Sequence, residues 1–173
     1  LIVNAADANL ARVLAMGCWT PVERFGLEDG LEWQAQLDAA DGSTFTVRHN
    51  GVALGQVQWS LLGTHNVLNA LAALAAVQAV GVDPAPLLCS LAGFAGIKRR
   101  LEVVGEADGI TVYDDFAHHP TAIATTLAGL RARVGPARIV VAMEPRSNSM
   151  RLGAHADALA PSLALADAVV FLH

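Results

Sequence analysis

Residues 109–130 read GITVYDDFAHHPTAIATTLAGL. An apolar, β-branched run at 109–113 leads into two acids, an aromatic residue and two histidines, and Pro120 then opens a stretch with helical apolar spacing. The first run predicts a buried strand and the last a helix, with proline at the first-turn position that tolerates it. The polar cluster therefore falls in a strand-to-helix turn, where α/β folds keep their sites.

Working outward from that turn, 138–143 (RIVVAM) is a short apolar strand of the parallel-sheet type, 155–165 reads as a helix, and 168–172 as a further strand. The alternation β-α-β-α-β predicts a doubly wound sheet. Three or four strands of it fit between residues 101 and 173, where about five or six are usual, so the stretch reads as a domain cut short. Upstream, 1–3 is a strand with no lead-in, and Asp7 or Asn9 caps a short helix to about Met16. Residues 20–25 are extended and 32–37 alternate weakly as a strand. Two strand-like runs, 44–48 and 52–59, flank Asn50-Gly51, a two-residue hairpin signal because a type I′ turn needs positive φ at both positions. Apolar spacing gives a helix over 67–80 ended by Gly81, and Pro84 opens another to about Ala92. The connector 94–100, FAGIKRR, is the expected domain boundary.

The chain has 173 residues, is 54% hydrophobic and carries a net charge of −5, which suits a packed core and disfavours a nucleic-acid or acidic-membrane surface. No apolar run reaches the roughly 18 residues of a membrane span. The start has no basic region of the kind that opens a signal peptide. Cys18 and Cys89 are far apart with no metal spacing, so both are expected to pack in a reducing cytoplasm, and the three tryptophans (Trp19, Trp33, Trp59) are expected in the core. Lys98 is the only lysine, which excludes a GxxxxGK[ST] phosphate loop, and no GxGxxG occurs.

Four segments could carry chemistry. In the turn, Asp114, Asp115, His118 and His119 stand beside a helix N-terminus, a natural seat for phosphate; the plainer reading is that they cap the helix. In 63–70 (GTHNVLNA), Asn66 and Asn69 share a helix face, and their amides match the donor and acceptor edge of adenine; otherwise Thr64 or Asn66 caps and Asn69 is solvated. Lys98-Arg99-Arg100 is either a solvated linker or a guanidinium fork for phosphate. The loop 144–151 (EPRSNSMR) follows a parallel strand, on the ligand-binding side of an open sheet, where its arginines could pair carboxylates. His49, His155 and His173 read as structural or solvated.

Taken in order, GTHNVLNALAALAA, FAGIKRRLE, DDFAHHP and MEPRSNSMRLG resemble the Mur ligase family, the ATP-dependent amide-bond ligases of bacterial cell-wall synthesis. The resemblance spans roughly residues 63–152. It implies an α/β chain with the C-terminal part of the central ATPase domain over 1–98, followed by the first half of a Rossmann-like C-terminal domain over 99–173. It is closest to members that join the tripeptide L-Ala-γ-D-Glu-meso-diaminopimelate to UDP-N-acetylmuramate in peptidoglycan recycling, through an acyl phosphate, with ATP and Mg²⁺. It implies ATP contacts from Asn66, Asn69, Arg100, Asp115 and His118, and acceptor contacts from Arg146, Ser147 and Asn148. It places the phosphate loop, the metal-holding residues and the UDP-binding domain before Leu1, so catalytic residues are expected upstream and the chain alone is expected to be inactive.

Three alternatives stand beside this. The sister ligase that adds L-alanine to UDP-N-acetylmuramate has Tyr where Phe116 stands and a QPHRYTR-like loop in place of 144–151. Folylpolyglutamate synthetase has a single-Asp turn. A non-catalytic nucleotide-binding module fits the missing phosphate loop. A Rossmann-type oxidoreductase lacks its glycine fingerprint here.

Overall fold

The computed structural model describes residues 1–145 and 147–172. Contacts divide the chain into two units, Leu1–Ser60 with Thr64–Ala95, and Leu61–Gly63 with Gly96–His173.

The first unit is a five-stranded mixed sheet in the order β1-β2-β3-β4-β5, made of β1 (Ile2–Asn4), β2 (Glu23–Gly26), β3 (Trp33–Leu37), β4 (Thr44–His49) and β5 (Val52–Gln58). The first three strands run parallel and the last three antiparallel. Asn50 and Gly51 have φ of 49° and 80°, the left-handed pair that the hairpin signal requires. On β4 the alternation is strict: Phe45 and Val47 are buried, while Thr44, Thr46 and Arg48 are part-exposed. Phe45 meets Trp59 edge to face at 5.2 Å.

Helix α2 (Thr64–Ala79) lies on β1, β2 and β3. Its buried residues Val67, Ala70, Leu71, Leu74 and Ala75 follow the i, i+3, i+4, i+7, i+8 stripe of a core-facing helix. At its end, Val82 N–H donates to Val77 O and Gly81 N–H to Gln78 O, a glycine-terminated cap with Gly81 at φ 84°. Helix α3 (Leu87–Ala92) packs on β5, where Leu88 fills the space a side chain at Gly55 would need.

Helix α1 (Ala8–Ala15) is capped by Asp7, whose carboxylate accepts from Asn9 and Leu10 N–H, and it buries no residue. Two packing expectations fail beside it. Trp19 is 93% exposed, with its ring lying against Gly17, and Cys18 is exposed, its thiol donating to Thr20 O. Cys89 is also exposed, on the outer face of the short α3. The apolar types were right for a core, but no element covers these positions within the unit. Trp33 and Trp59 are buried as expected, and His49 stacks on Trp33 at 4.3 Å.

The second unit departs from one doubly wound sheet. Strands β6 (Glu102–Ala107) and β7 (Ile110–Asp114) form an antiparallel hairpin, and β8 (Val140–Met143) with β9 (Ala168–Phe171) forms a separate parallel pair. Asp108 and Gly109 supply the reason, with φ of 51° and 75°: a second two-residue left-handed turn folds 102–114 back on itself. Helix α4 (Pro120–Val134) seats Ile123, Leu127 and Leu130 in a core with Ile139 and Leu163. Short helices α5 (Asn148–Arg151) and α6 (Ala156–Ser162) connect β8 to β9; α5 was not anticipated. Arg131 closes the far end: its guanidinium donates to the carbonyls of Gly135, Ala137 and Leu165 and to Asp167, which also accepts from Ile139 N–H. These bonds hold the Asp167 carboxyl below its ordinary pKa, Ile139 N–H first and Arg131 second. Among the described residues, no helix is long and apolar enough to cross a membrane.

The firmest ion pair in the first unit is Arg24 with Glu32. The Arg24 Nε and terminal nitrogen donate to the two carboxylate oxygens at 3.0 Å each, and its backbone N–H adds a third bond at 2.8 Å. These bonds pull the Glu32 carboxyl down to about 2, from about 4.3 in an unfolded chain. Because the folded value is the lower one, the stabilisation is complete above about pH 5 and disappears as pH falls toward 2. Surface screening limits it to about 1 kcal/mol. In denaturant titrations at several pH values, Glu32→Gln should lie below the wild type at neutral pH and converge with it by pH 2–3; a gap constant with pH would contradict this.

Candidate functional site

The turn after β7 is built around one carboxylate. Asp115 Oδ1 accepts from Ala117 N–H at 2.7 Å and from the Thr126 hydroxyl at 3.4 Å, closing a local Asx turn and tying it to α4. Asp115 Oδ2 accepts from Leu101 N–H at 2.9 Å, reaching back to the connector. A second strap runs the other way, from Phe116 N–H to Arg99 O at 2.9 Å. The connector needs such support. Arg99 and Leu101 have φ of 60° and 49°, a left-handed conformation costing non-glycine residues about 1–2 kcal/mol each. Arg99 N–H finds Glu102 Oε2 at 2.9 Å, and the Arg99 side chain pairs with Asp114 at 3.2 Å.

This geometry gathers positive charge around one exposed ring. Phe116 has the Arg99 and Arg100 guanidinium carbons 5.1 and 5.7 Å from its centroid, and the His118 ring edge-on at 5.0 Å. Each cation–π contact is worth about 0.5–1 kcal/mol at an exposed site. Among the described residues no carboxylate pairs with Arg100, so its guanidinium remains available to an anion. His118 Nδ1 lies 3.0 Å from Phe116 O, and since a carbonyl only accepts, Nδ1 carries the proton. Nε2, on the other side of this exposed ring, is left to a ligand. His119 caps α4, its Nδ1 accepting from Thr121 N–H at 3.2 Å.

Arg100, Asp115 and His118 are thus brought together in the second unit. Asn66 and Asn69 lie in the first turns of α2 in the first unit, Asn66 half-buried and Asn69 exposed. In the acceptor loop, the Ser147 hydroxyl caps α5 by accepting from Met150 N–H at 3.3 Å, and Asn148 is exposed in its first turn. Arg146 and His173 lie outside the described residues. Among the described residues no three His, Cys, Asp or Glu side chains gather into a cation site. Sequence reasoning missed Phe116 as the hub for two guanidiniums and Asp115 as a clip. The doubled acids and the adjacent aromatic were the only signals, and they do not say which donors they meet.

Comparison with known proteins then bears on the chain. Residues 1–77 match the Mur ligase middle domain and residues 99–173 the glutamate ligase domain of Mur ligases. The chain is 52% identical, over 96% of its length, to the UDP-N-acetylmuramate–L-alanyl-γ-D-glutamyl-meso-2,6-diaminoheptandioate ligase of Escherichia coli K12, and 44% identical, over 99% of its length, to that of Haemophilus influenzae. It spans 36% and 38% of those two proteins. A UDP-N-acetylmuramate–L-alanine ligase of Geobacter is 40% identical over 69% of the chain, covering 27% of that protein. Among solved structures, a murein peptide ligase from Psychrobacter arcticus aligns with 98% of the chain and 36% of its own at TM-score 0.68 and 46% identity. A UDP-N-acetylmuramate–alanine ligase from Thermotoga maritima aligns with the same shares at 0.73 and 28%.

Replacing Asp115 by Asn leaves one acceptor oxygen for two backbone N–H groups. We expect Asp115→Asn to cost about 1–3 kcal/mol and to raise hydrogen exchange at Leu101 or Ala117 well above the level of neighbouring amides. Unchanged protection at both would contradict the clip.

Proposed function

Since this chain belongs to the Mur ligase family, we propose that the protein carrying it joins L-Ala-γ-D-Glu-meso-diaminopimelate to UDP-N-acetylmuramate at the expense of ATP, in the cytoplasm, as a step of peptidoglycan recycling. The observation that carries this reading is the 52% identity to a ligase of that name, over nearly the whole chain. The chain spans about a third of that relative, so the activity is proposed for a protein that has the relative's other portions besides. The boundary between its central and C-terminal domains is proposed at 98/99.

In this reading ATP activates the muramyl carboxylate as an acyl phosphate, and the tripeptide amine attacks it. The residues of this chain bind and orient. Asn66 and Asn69 offer amide donors and acceptors to the adenine edge. Arg100, held over Phe116, supplies a guanidinium to phosphate. His118, whose Nδ1 is engaged by Phe116 O, offers Nε2 to the ribose or phosphate. Asp115 spends three of its roughly four acceptor sites on the protein, so it acts chiefly by shaping the turn and has one site left for the nucleotide. No metal is assigned to the described residues; Mg²⁺ enters only as the companion of the triphosphate. Ser147, Asn148 and Arg146 are assigned to the acceptor peptide.

The L-alanine ligase is the second reading, supported by 40% identity to such an enzyme over a shorter stretch. The test supplies the full-length enzyme with UDP-N-acetylmuramate, ATP and Mg²⁺ and compares L-alanine with the tripeptide by ADP release. Turnover with the tripeptide and not alanine is expected; turnover with alanine alone would overturn the assignment.

A further inference from the structure

Two histidines outside the nucleotide contacts meet in the second unit. His119 opens α4 and His155 opens α6, and their rings stand edge to face at 4.6 Å with 71° between planes. The His119 ring is fixed, because its Nδ1 accepts from Thr121 N–H. The His155 ring makes no capping bond to its own helix. Its backbone, by contrast, is firmly held: His155 O accepts from Ala158 and Leu159 N–H, and Leu159 packs on the core. The residue before it is tied to α5, with Ala154 N–H donating to Ser149 O at 3.0 Å and Gly153 N–H to Met150 O at 3.1 Å. A chain of contacts thus runs from the turn of Asp115 and His118, through the two imidazoles, to the short helix capped by Ser147.

We propose that His155 is a positioning residue, which holds the segment 147–155, with Ser147 and Asn148 of the acceptor loop, in register with the nucleotide turn through the ring of His119. An edge-to-face pair has a preferred geometry as well as an attraction, so it fixes orientation where a plain aliphatic contact would not. The side chain is assigned contact with neither nucleotide nor acceptor. Its effect falls on how well the loop is placed for the peptide while the turn meets ATP. The inference rests on the ligase reading given above for the two segments.

The test uses the full-length enzyme and separates kcat from the two KM values. His155→Ala should raise the KM for the tripeptide about fivefold, the low end of a coupling between sites, with kcat and the KM for ATP within about twofold. His155→Phe keeps a ring and should restore the tripeptide KM. His119→Asn keeps a capping oxygen while removing the ring; it should match His155→Ala, and the double variant should be no worse than either single one. Parallel changes in all three parameters, no change, failure of the Phe variant to restore, or a multiplicative double variant would each overturn the proposal. If His155→Ala does not fold, the Phe and His119→Asn variants still decide. A nuclear Overhauser contact between the two imidazoles is expected independently of any variant, and its absence would sink the contact itself. An enzyme that uses L-alanine and not the tripeptide would refute the acceptor assignment alone, and the same variants would then be compared for the KM of alanine.

Discussion

The carboxylate of Asp115 is the fixture on which the second unit's site depends. One group bonds the connector at Leu101, its own turn at Ala117 and helix α4 at Thr126. Its bond to Leu101 N–H holds one of the two left-handed non-glycine residues of the connector; Glu102 holds the other at Arg99 N–H, and the separate strap from Phe116 N–H to Arg99 O sets the ring beside Arg99 and Arg100. The strain is local, about 1–2 kcal/mol for each residue, and the bonds from Leu101 N–H to Asp115 and from Arg99 N–H to Glu102, each to a carboxylate, offset it. The consequence is chemical: two guanidiniums and an imidazole are held together around one ring, which would reduce the ordering cost of the anion binding proposed for this turn.

The first unit solves a different problem. Its five buried positions on α2 leave the helix one way to sit on the sheet, and this fixes which side chains its first turns present. Asn66 and Asn69 lie off that buried stripe, so burial of Val67, Ala70 and Leu71 is what aims them. Packing thus does for the amides what hydrogen bonding does for the turn.

Much of this was legible from periodicity and turn chemistry. The α2 stripe, the Asn50-Gly51 hairpin and the strand-turn-helix around 113–123 all carry local signals strong enough to survive folding. Other features did not announce themselves, because their causes are not local. Asp108-Gly109 is as good a hairpin signal as Asn50-Gly51, yet the apolar runs beside it fit a parallel sheet equally well, and only pairing decides. The left-handed Arg99 and Leu101 have no glycine to betray them, since tertiary bonds impose the conformation. Trp19 and Cys18 have core-type side chains, but exposure is set by what lies over them. The meeting of His119 with His155 spans residues far apart in sequence, beyond any pattern of spacing.

Under the proposed function, the turn that carries Arg100 and His118 binds ATP, and so do the α2 residues Asn66 and Asn69. Titration of the isotope-labelled chain with millimolar ATP, followed by NMR, decides whether they do. Shifts are expected at the His118 imidazole, the Arg100 guanidinium and the Asn66 and Asn69 side-chain amides, with the clipped Leu101 amide protected throughout. Shifts confined to other surfaces, or a His118 ring indifferent to ATP, would contradict the proposal.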